Sequence, residues 1–137
     1  MNTALFSGLG KYQSFGLLLL RLGLGAAFVL YGYPKITGGP EMWKGLGAAM
    51  GNLGVTAYPV AWGFAAALTE LGGGILMILG LFFRPAMALL CFVMVVAAVH
   101  HGASGDELNV ILRPAELGLV FLALLFVGPG RYSVDGK

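Results

Sequence analysis

The sequence has little charge. It contains 8 Lys and Arg and 6 Asp and Glu among 137 residues, so charged residues make up 10% of the chain, whereas a typical soluble domain has about 25%. Hydrophobic residues make up 58%, which is more than a chain of this length can bury in its own core. We therefore expect an integral membrane protein whose surplus apolar surface faces lipid, with one domain covering residues 1–137.

The scarcity of cysteine and of clustered charge excludes several classes of function. Cys91 is the single cysteine, which excludes an internal disulfide, a CxxC redox pair and a cysteine-rich metal site. The net charge of +2 is spread along the chain, so we expect no nucleic-acid partner. His100 and His101 point about 100° apart on a helix and are poorly placed to ligate one ion, so we predict no metal site.

Four apolar stretches predict an all-α fold, an integral membrane four-helix bundle. The first two reach the roughly 20 residues that a spanning helix needs, and the last two gain length if flanking basic side chains extend to the headgroups. Arg21 interrupts the first stretch and no small-residue cleavage site follows it, which favours a mature helix over a signal peptide. The approximate spans are 15–33, 60–83, 86–101 and 114–128.

An even number of spans places both termini on one side of the membrane. The basic residues outside the hydrocarbon then divide four to three in favour of the terminal side, a weak bias towards cytoplasmic termini. These residues are Lys11, Arg84, Arg131 and Lys137 against Lys35, Lys44 and Arg113. The long connection 34–59 contains EMWKGLGAAM, which suits a short interfacial helix, although its glycines make an irregular loop nearly as compatible.

Arg21 and Glu70 lie well inside the first two spans, where a charged side chain costs about 2.5–3.5 kcal/mol. Arg21 shares a helical stripe with Gly25, Phe28, Gly32 and Lys35, and Glu70 shares one with Gly73, Gly74 and Met77, so both charges lie on faces where helices can pack closely. Arg21 is the nearest opposite charge for Glu70, at the limit of two extended side chains. Two alternatives stay open: a structural ion pair, or an unpaired Glu70 that carries protons.

A second polar group is predicted at the opposite membrane face. Helices one and three end there and helix four begins there, so their end residues share a depth and are candidates for binding a cofactor in a polar vestibule. The alternative is that each is only an interfacial end residue. The group consists of Tyr31, Lys35, His100, His101, Arg113 and Glu116.

The motifs taken together resemble the DoxX family over about residues 15–135. They are Arg21, Gly25, Gly32 and Lys35 in the first helix, ELGGG at 70–74 followed by Gly80-Leu81 and Arg84, then His100, Glu116 and the closing GPGRYSVD. The resemblance implies a small bacterial inner-membrane protein, related to a membrane subunit of thiosulfate:quinone oxidoreductase. It also implies that Arg21, Lys35, Glu70, His100 and Glu116 are the recurring polar residues.

Three functions follow as hypotheses. In the first, the protein is a membrane subunit of a quinone-linked redox complex and not catalytic alone. A glycine-rich crevice between helices one and two admits a quinone, Arg21 or a histidine donates to its carbonyl and Glu70 moves a proton, while a redox partner supplies electrons. In the second it is a non-catalytic accessory subunit of a larger assembly. The third, a proton or small-solute pathway, requires a homo-oligomer.

Overall fold

The computed structural model describes residues 5–136, so Lys137, which entered the charge bias, lies outside the described residues. A 3-10 turn, Ser7–Tyr12, leads into α1, Gln13–Thr37, and a short α2, Pro40–Gly47, is continued by a 3-10 turn, Ala48–Leu53. Three long helices follow: α3, Pro59–Leu79, α4, Phe83–Ala103, and α5, Leu108–Val127.

Helices α1, α3, α4 and α5 are long and apolar enough to cross a membrane. Residues 5–136 contain no strand, which confirms the predicted all-α membrane bundle. A short helix between the first two spans is present as α2. We use "terminal side" for the end of the bundle where α1 begins, and "loop side" for the end where α1 and α4 finish and α3 and α5 begin.

Several helix ends differ from the predicted spans. A glycine ends one helix earlier than predicted, and two prolines lie inside helices that were predicted to stop or start beside them. Gly80 takes a left-handed backbone with φ of 65° and ends α3 at Leu79, so the span 60–83 was predicted too long. Helix α4 then begins at Phe83 and not at residue 86. Pro34 and Pro114 lie inside α1 and α5, so these helices extend several residues beyond 33 and before 114.

Helices α1 and α3 pack through the predicted glycine stripes. The buried residues of α1 are Arg21, Gly25, Phe28 and Gly32, four of the five residues predicted to share a face. A Cβ atom added to Gly74 would lie 2.8 Å from the carbonyl oxygen of Gly25, which is closer than real Cβ atoms approach. The two backbones are therefore in direct contact, and the predicted quinone crevice between helices one and two is closed.

The apolar core lies between all four long helices. Phe28 of α1 and Phe121 of α5 meet edge to face with ring centroids 5.1 Å apart, which joins α1 and α5 through side chains in the core. The remaining buried core side chains come from α3, α4 and α5: Met77, Phe83, Ala86, Met87, Leu90, Met94 and Leu124.

The tail after α5 folds back over the terminal side. Asp135 accepts hydrogen bonds from the backbone N–H groups of Phe82, at 3.1 Å, and Phe83, at 2.7 Å, and so caps the first turn of α4. Such a cap contributes about 1 kcal/mol. Val134 and Asp135 donate their N–H groups to the carbonyls of Leu79 and Gly80, so the tail also satisfies the end of α3.

Candidate functional site

Glu70 of α3 pairs with Lys35 of α1. The Lys35 Nζ atom lies 3.0 Å from Oε1 and 2.9 Å from Oε2 of Glu70. The Glu70 side chain is 6% exposed and the Lys35 side chain 32%, so the carboxylate is buried while the ammonium is near the surface of the bundle. The opposite charges allow Glu70 to be buried near the middle of a helix that is long and apolar enough to span a membrane.

The register of α1 against α3 explains this pairing. Gly25 lies against Ile78 and Gly32 against Leu71. The two helices are therefore antiparallel, and seven residues along α1 correspond to seven residues along α3 in the opposite direction. Glu70 is then level with Tyr33, two residues from Lys35. Arg21 lies fourteen residues from Lys35, which corresponds to about 21 Å along a helix axis.

Arg21 does not pair with Glu70, so the ion pair considered between them is wrong. Its guanidinium donates to the carbonyls of Met77 at 3.0 Å and Ile78 at 2.9 Å in the last turn of α3, and to those of Pro129 at 3.2 Å and Tyr132 at 2.9 Å in the tail. Arg21 is 1% exposed. It therefore joins α1, α3 and the tail, with its positive charge at the negative end of the α3 dipole.

The Lys35–Glu70 pair lies in the wall of a cavity of about 460 Å³ between α3, α4 and the α2 segment. We call it the Glu70 cavity. Most of its wall is apolar, with Leu46, Met50, Trp62, Phe92 and Met94 among the lining residues. Its polar residues are Lys35, Thr69, Glu70, His100 and His101. An apolar chamber with a few convergent polar groups is typical of a small-molecule site.

Residues 40–53 cover the Glu70 cavity on the loop side, and we call them the roof. A Cβ atom on Gly47 would overlap the carbonyl of Pro59, and one on Gly63 would overlap the carbonyl of Trp43. The Trp43 indole N–H also donates to the carbonyl of Lys35 at 3.0 Å. The roof is therefore held tightly to α3 and to the end of α1.

Both histidines of the cavity wall use Nδ1 to contact a neighbouring oxygen. His100 Nδ1 lies 3.0 Å from Oδ1 of Asn52 in the roof, and His101 Nδ1 lies 2.7 Å from Oδ2 of Asp106. Because a carboxylate only accepts, His101 donates from Nδ1 and keeps Nε2 for another partner. These contacts orient both rings at the loop-side end of the cavity.

Three of the predicted vestibule residues lie outside the cavity wall. Tyr31 is exposed and packs edge to face on Phe28, with centroids 5.5 Å apart. Arg113 and Glu116 are exposed on α5, which packs against the far side of α4. Of the six residues, Lys35, His100 and His101 line the Glu70 cavity, and Tyr31, Arg113 and Glu116 do not.

Several functional candidates were not found from the sequence. Trp62 and Thr69 line the cavity, and Asn52 and Asp106 orient its histidines. Among these contacts, only the one between His101 and Asp106 has a local signal in the sequence, since the two residues are five positions apart across a turn that contains a glycine. Within residues 5–136, no group of three or more His, Cys, Asp or Glu side chains is placed to hold a metal ion.

Comparison with known proteins gives the family. The DoxX family model matches residues 16–102, which cover nearly all of α1 to α4 and include both members of the ion pair and both histidines. The chain belongs to the DoxX family.

Similar DoxX-family relatives cover almost the whole chain. It is 29% identical to inner membrane protein YphA of Escherichia coli K12 over 145 residues, with both chains fully covered. It is 31% identical to an uncharacterized protein of Haemophilus influenzae over 96% of each chain. Inner membrane protein YqjF of E. coli K12 is 28% identical over 91% of this chain and 93% of its own length. No solved structure matches the chain.

Proposed function

We propose that this DoxX-family protein is the membrane subunit of a quinone-linked redox complex, and that the Glu70 cavity takes the head group of the quinone. The observation that carries the proposal is a cavity of about 460 Å³ with apolar walls and a charged, hydrogen-bonding end beside the middle of α3. Such a volume lies within the range of roughly 300–1,000 Å³ that small-molecule sites occupy.

The polar groups of the cavity suit the two carbonyl oxygens of a quinone. An ammonium has three donors, and Lys35 uses its contacts at 3.0 and 2.9 Å for the two oxygens of Glu70, which leaves one N–H for a ligand. His100 and His101 line the same wall at the loop side. Lys35, and a histidine in its imidazolium form, in which Nε2 as well as Nδ1 carries a hydrogen, are therefore proposed as donors to opposite ends of one ring.

A bound quinone supplies two-electron, two-proton chemistry, in which reduction to the quinol places one proton on each oxygen. Lys35–Glu70 and His101–Asp106 are each a base beside an acid within hydrogen-bond distance, so each can hold a proton at one end of the cavity. The electrons are proposed to come from a redox partner subunit, which makes this chain a non-catalytic component alone. An inner-membrane location is supported by two relatives that are inner membrane proteins, and cytoplasmic termini are proposed from the four-to-three bias of basic residues.

Tryptophan fluorescence tests the proposal. The chain has two tryptophans: Trp62 lines the cavity, whereas Trp43 lines a separate outer groove with Tyr58 and Phe64. In Trp43→Phe protein in nanodiscs, a ubiquinone analogue with one isoprenoid unit is expected to quench Trp62 saturably, because bound quinone contacts it.

The matched control is the Trp62→Phe protein, in which the remaining Trp43 lies outside the cavity wall. Its saturable quenching is expected to be weaker than that of Trp62, because bound quinone does not contact Trp43 directly. Equal, linear quenching in both proteins would contradict the quinone site. The chain would then be better described as an accessory subunit, since Arg21 and the tail would be stabilising a bundle that binds no quinone.

A further inference from the structure

Some residues of the cavity wall are also exposed on the outer surface of the bundle, and their position indicates where the cavity opens. Trp62 and Ala65 of α3, and Leu89 and Phe92 of α4, line the cavity and are also exposed on the lipid-facing surface of the bundle. Trp62 is 39% and Phe92 49% exposed. We call these four residues the portal.

The packing of α3 against α4 agrees with an opening at this place. The two helices touch closely at Gly73 and Leu90, where an added Cβ would lie 2.9 Å from Leu90 Cγ. Towards the loop side the Glu70 cavity separates them. The gap therefore lies between two membrane-spanning helices, within the apolar part of both.

The route from water is more restricted. Residues 40–53 lie over the loop-side end, held by the Gly47 and Gly63 contacts with α3 and by the 3.0 Å contact between Asn52 and His100. A ligand that is stored in the bilayer has no need to pass this roof. A long isoprenoid tail, however, has to leave the cavity, since about 460 Å³ is too small to hold such a tail together with the head group.

The geometry points to lateral binding: the ligand enters from the lipid through the portal, and its hydrocarbon tail stays between Trp62, Ala65, Leu89 and Phe92 while its head reaches Lys35 and Glu70. This inference rests on the proposed function and adds the route and the place of the tail. It assigns the portal residues a role in selecting tailed over tail-free molecules. The lipid-facing aromatic rings supply flat apolar contacts for such a tail.

Narrowing the portal tests this assignment. Ala65→Phe adds bulk at an exposed position that is not part of the apolar core, so we expect the variant to fold. In the Trp43→Phe background, the dissociation constants of two quinones are measured as bilayer mole fractions. The probes are the tail-free ubiquinone head group and the same head with a decyl tail.

Ala65→Phe is expected to weaken binding of the decyl quinone by about tenfold, which corresponds to the loss of roughly two buried methylene contacts. Binding of the tail-free head should change less than about twofold. The control is Ala88→Phe, which adds the same bulk on the lipid-facing side of α4 outside the cavity wall and should alter neither constant.

The outcomes separate the two proposals. If both quinones bind the unblocked protein and Ala65→Phe weakens both equally or neither, lateral tail binding is overturned and the quinone site stands. If neither quinone quenches Trp62 saturably in the unblocked protein, the quinone site fails and the portal assignment fails with it.

Discussion

Replacing Arg21 by alanine is expected to lower the free energy of unfolding by about 4 kcal/mol, because it removes a buried cation and the hydrogen bonds that it donates. Four carbonyls lose the guanidinium at once, those of Met77, Ile78, Pro129 and Tyr132, and the Met77 carbonyl keeps the N–H of Gly80 at 3.2 Å. Arg21→Lys keeps the charge but cannot reach both pairs of carbonyls, so we expect about half that loss. Steric trapping or detergent titration in mixed micelles measures the change.

Arg84→Ala is the matched control. Arg84 also donates to carbonyls at a helix end, those of Leu125 at 3.0 Å and Phe126 at 3.4 Å, but it is exposed. Removing it is expected to cost no more than about 1 kcal/mol. If Arg21→Ala costs no more than Arg84→Ala, the assignment of Arg21 as the connection between α1, α3 and the tail is wrong.

The Lys35–Glu70 pair is expected to respond asymmetrically to substitution. Lys35→Met leaves the Glu70 carboxylate, which is 6% exposed, without its cation. This should lower the free energy of unfolding by about 3 kcal/mol. Glu70→Gln leaves a lysine of 32% exposure that can turn towards the surface, which should cost about 1 kcal/mol. The double variant should be more stable than Lys35→Met alone, since it contains no buried unpaired charge.

A double-mutant cycle on the unfolding free energies measures this coupling. Lys44→Met is the control, because Lys44 is an exposed lysine of α2 on the same side of the bundle, and its loss should change stability by less than about 0.5 kcal/mol. Additive costs for Lys35→Met and Glu70→Gln would show that the two side chains act independently, and the ion pair would then have no energetic role.

The helical stripes could be predicted because they depend only on local periodicity. Arg21, Gly25, Phe28 and Gly32 share a face in any regular helix, and the structure buries all four. Gly73, Gly74 and Glu70 follow the same logic on α3. Composition and span length likewise determine the four-helix membrane fold, since the bilayer sets both the required length and the required polarity.

The partner of Glu70 could not be predicted because it depends on how far α1 extends past the end of α3. That overhang is occupied by the tail, where the N–H of Arg131 donates to Ser14 Oγ at 3.2 Å and Gly130 packs on Leu17. Contacts between residues so far apart in the chain leave no periodic signal. Without these contacts, the start of α1 and the end of α3 are placed at the same membrane level, and this alignment puts Arg21 too close to Glu70.

The cavity was missed for a similar reason. Its existence depends on α2 folding back on α3 at Gly47 and Gly63, and each of these glycines alone reads as a flexible loop residue. The sequence placed a ligand crevice at the glycines of α1 and α3, where small residues instead allow backbone contact. The small residues thus form the closed interface between α1 and α3. The cavity forms where α3 faces α4 and the α2 segment.

The most direct test of the account is the quinone content of the protein purified from its own membranes in mild detergent. Quinone per chain is quantified by chromatography and compared with the Lys35→Met/Glu70→Gln variant purified in parallel. The account predicts near-stoichiometric quinone in the unmodified protein, since the Glu70 cavity is proposed to hold one head group, and a clear loss in the variant, whose cavity lacks the charged end. Equal quinone in both proteins, at the level carried over with bulk lipid, would contradict it.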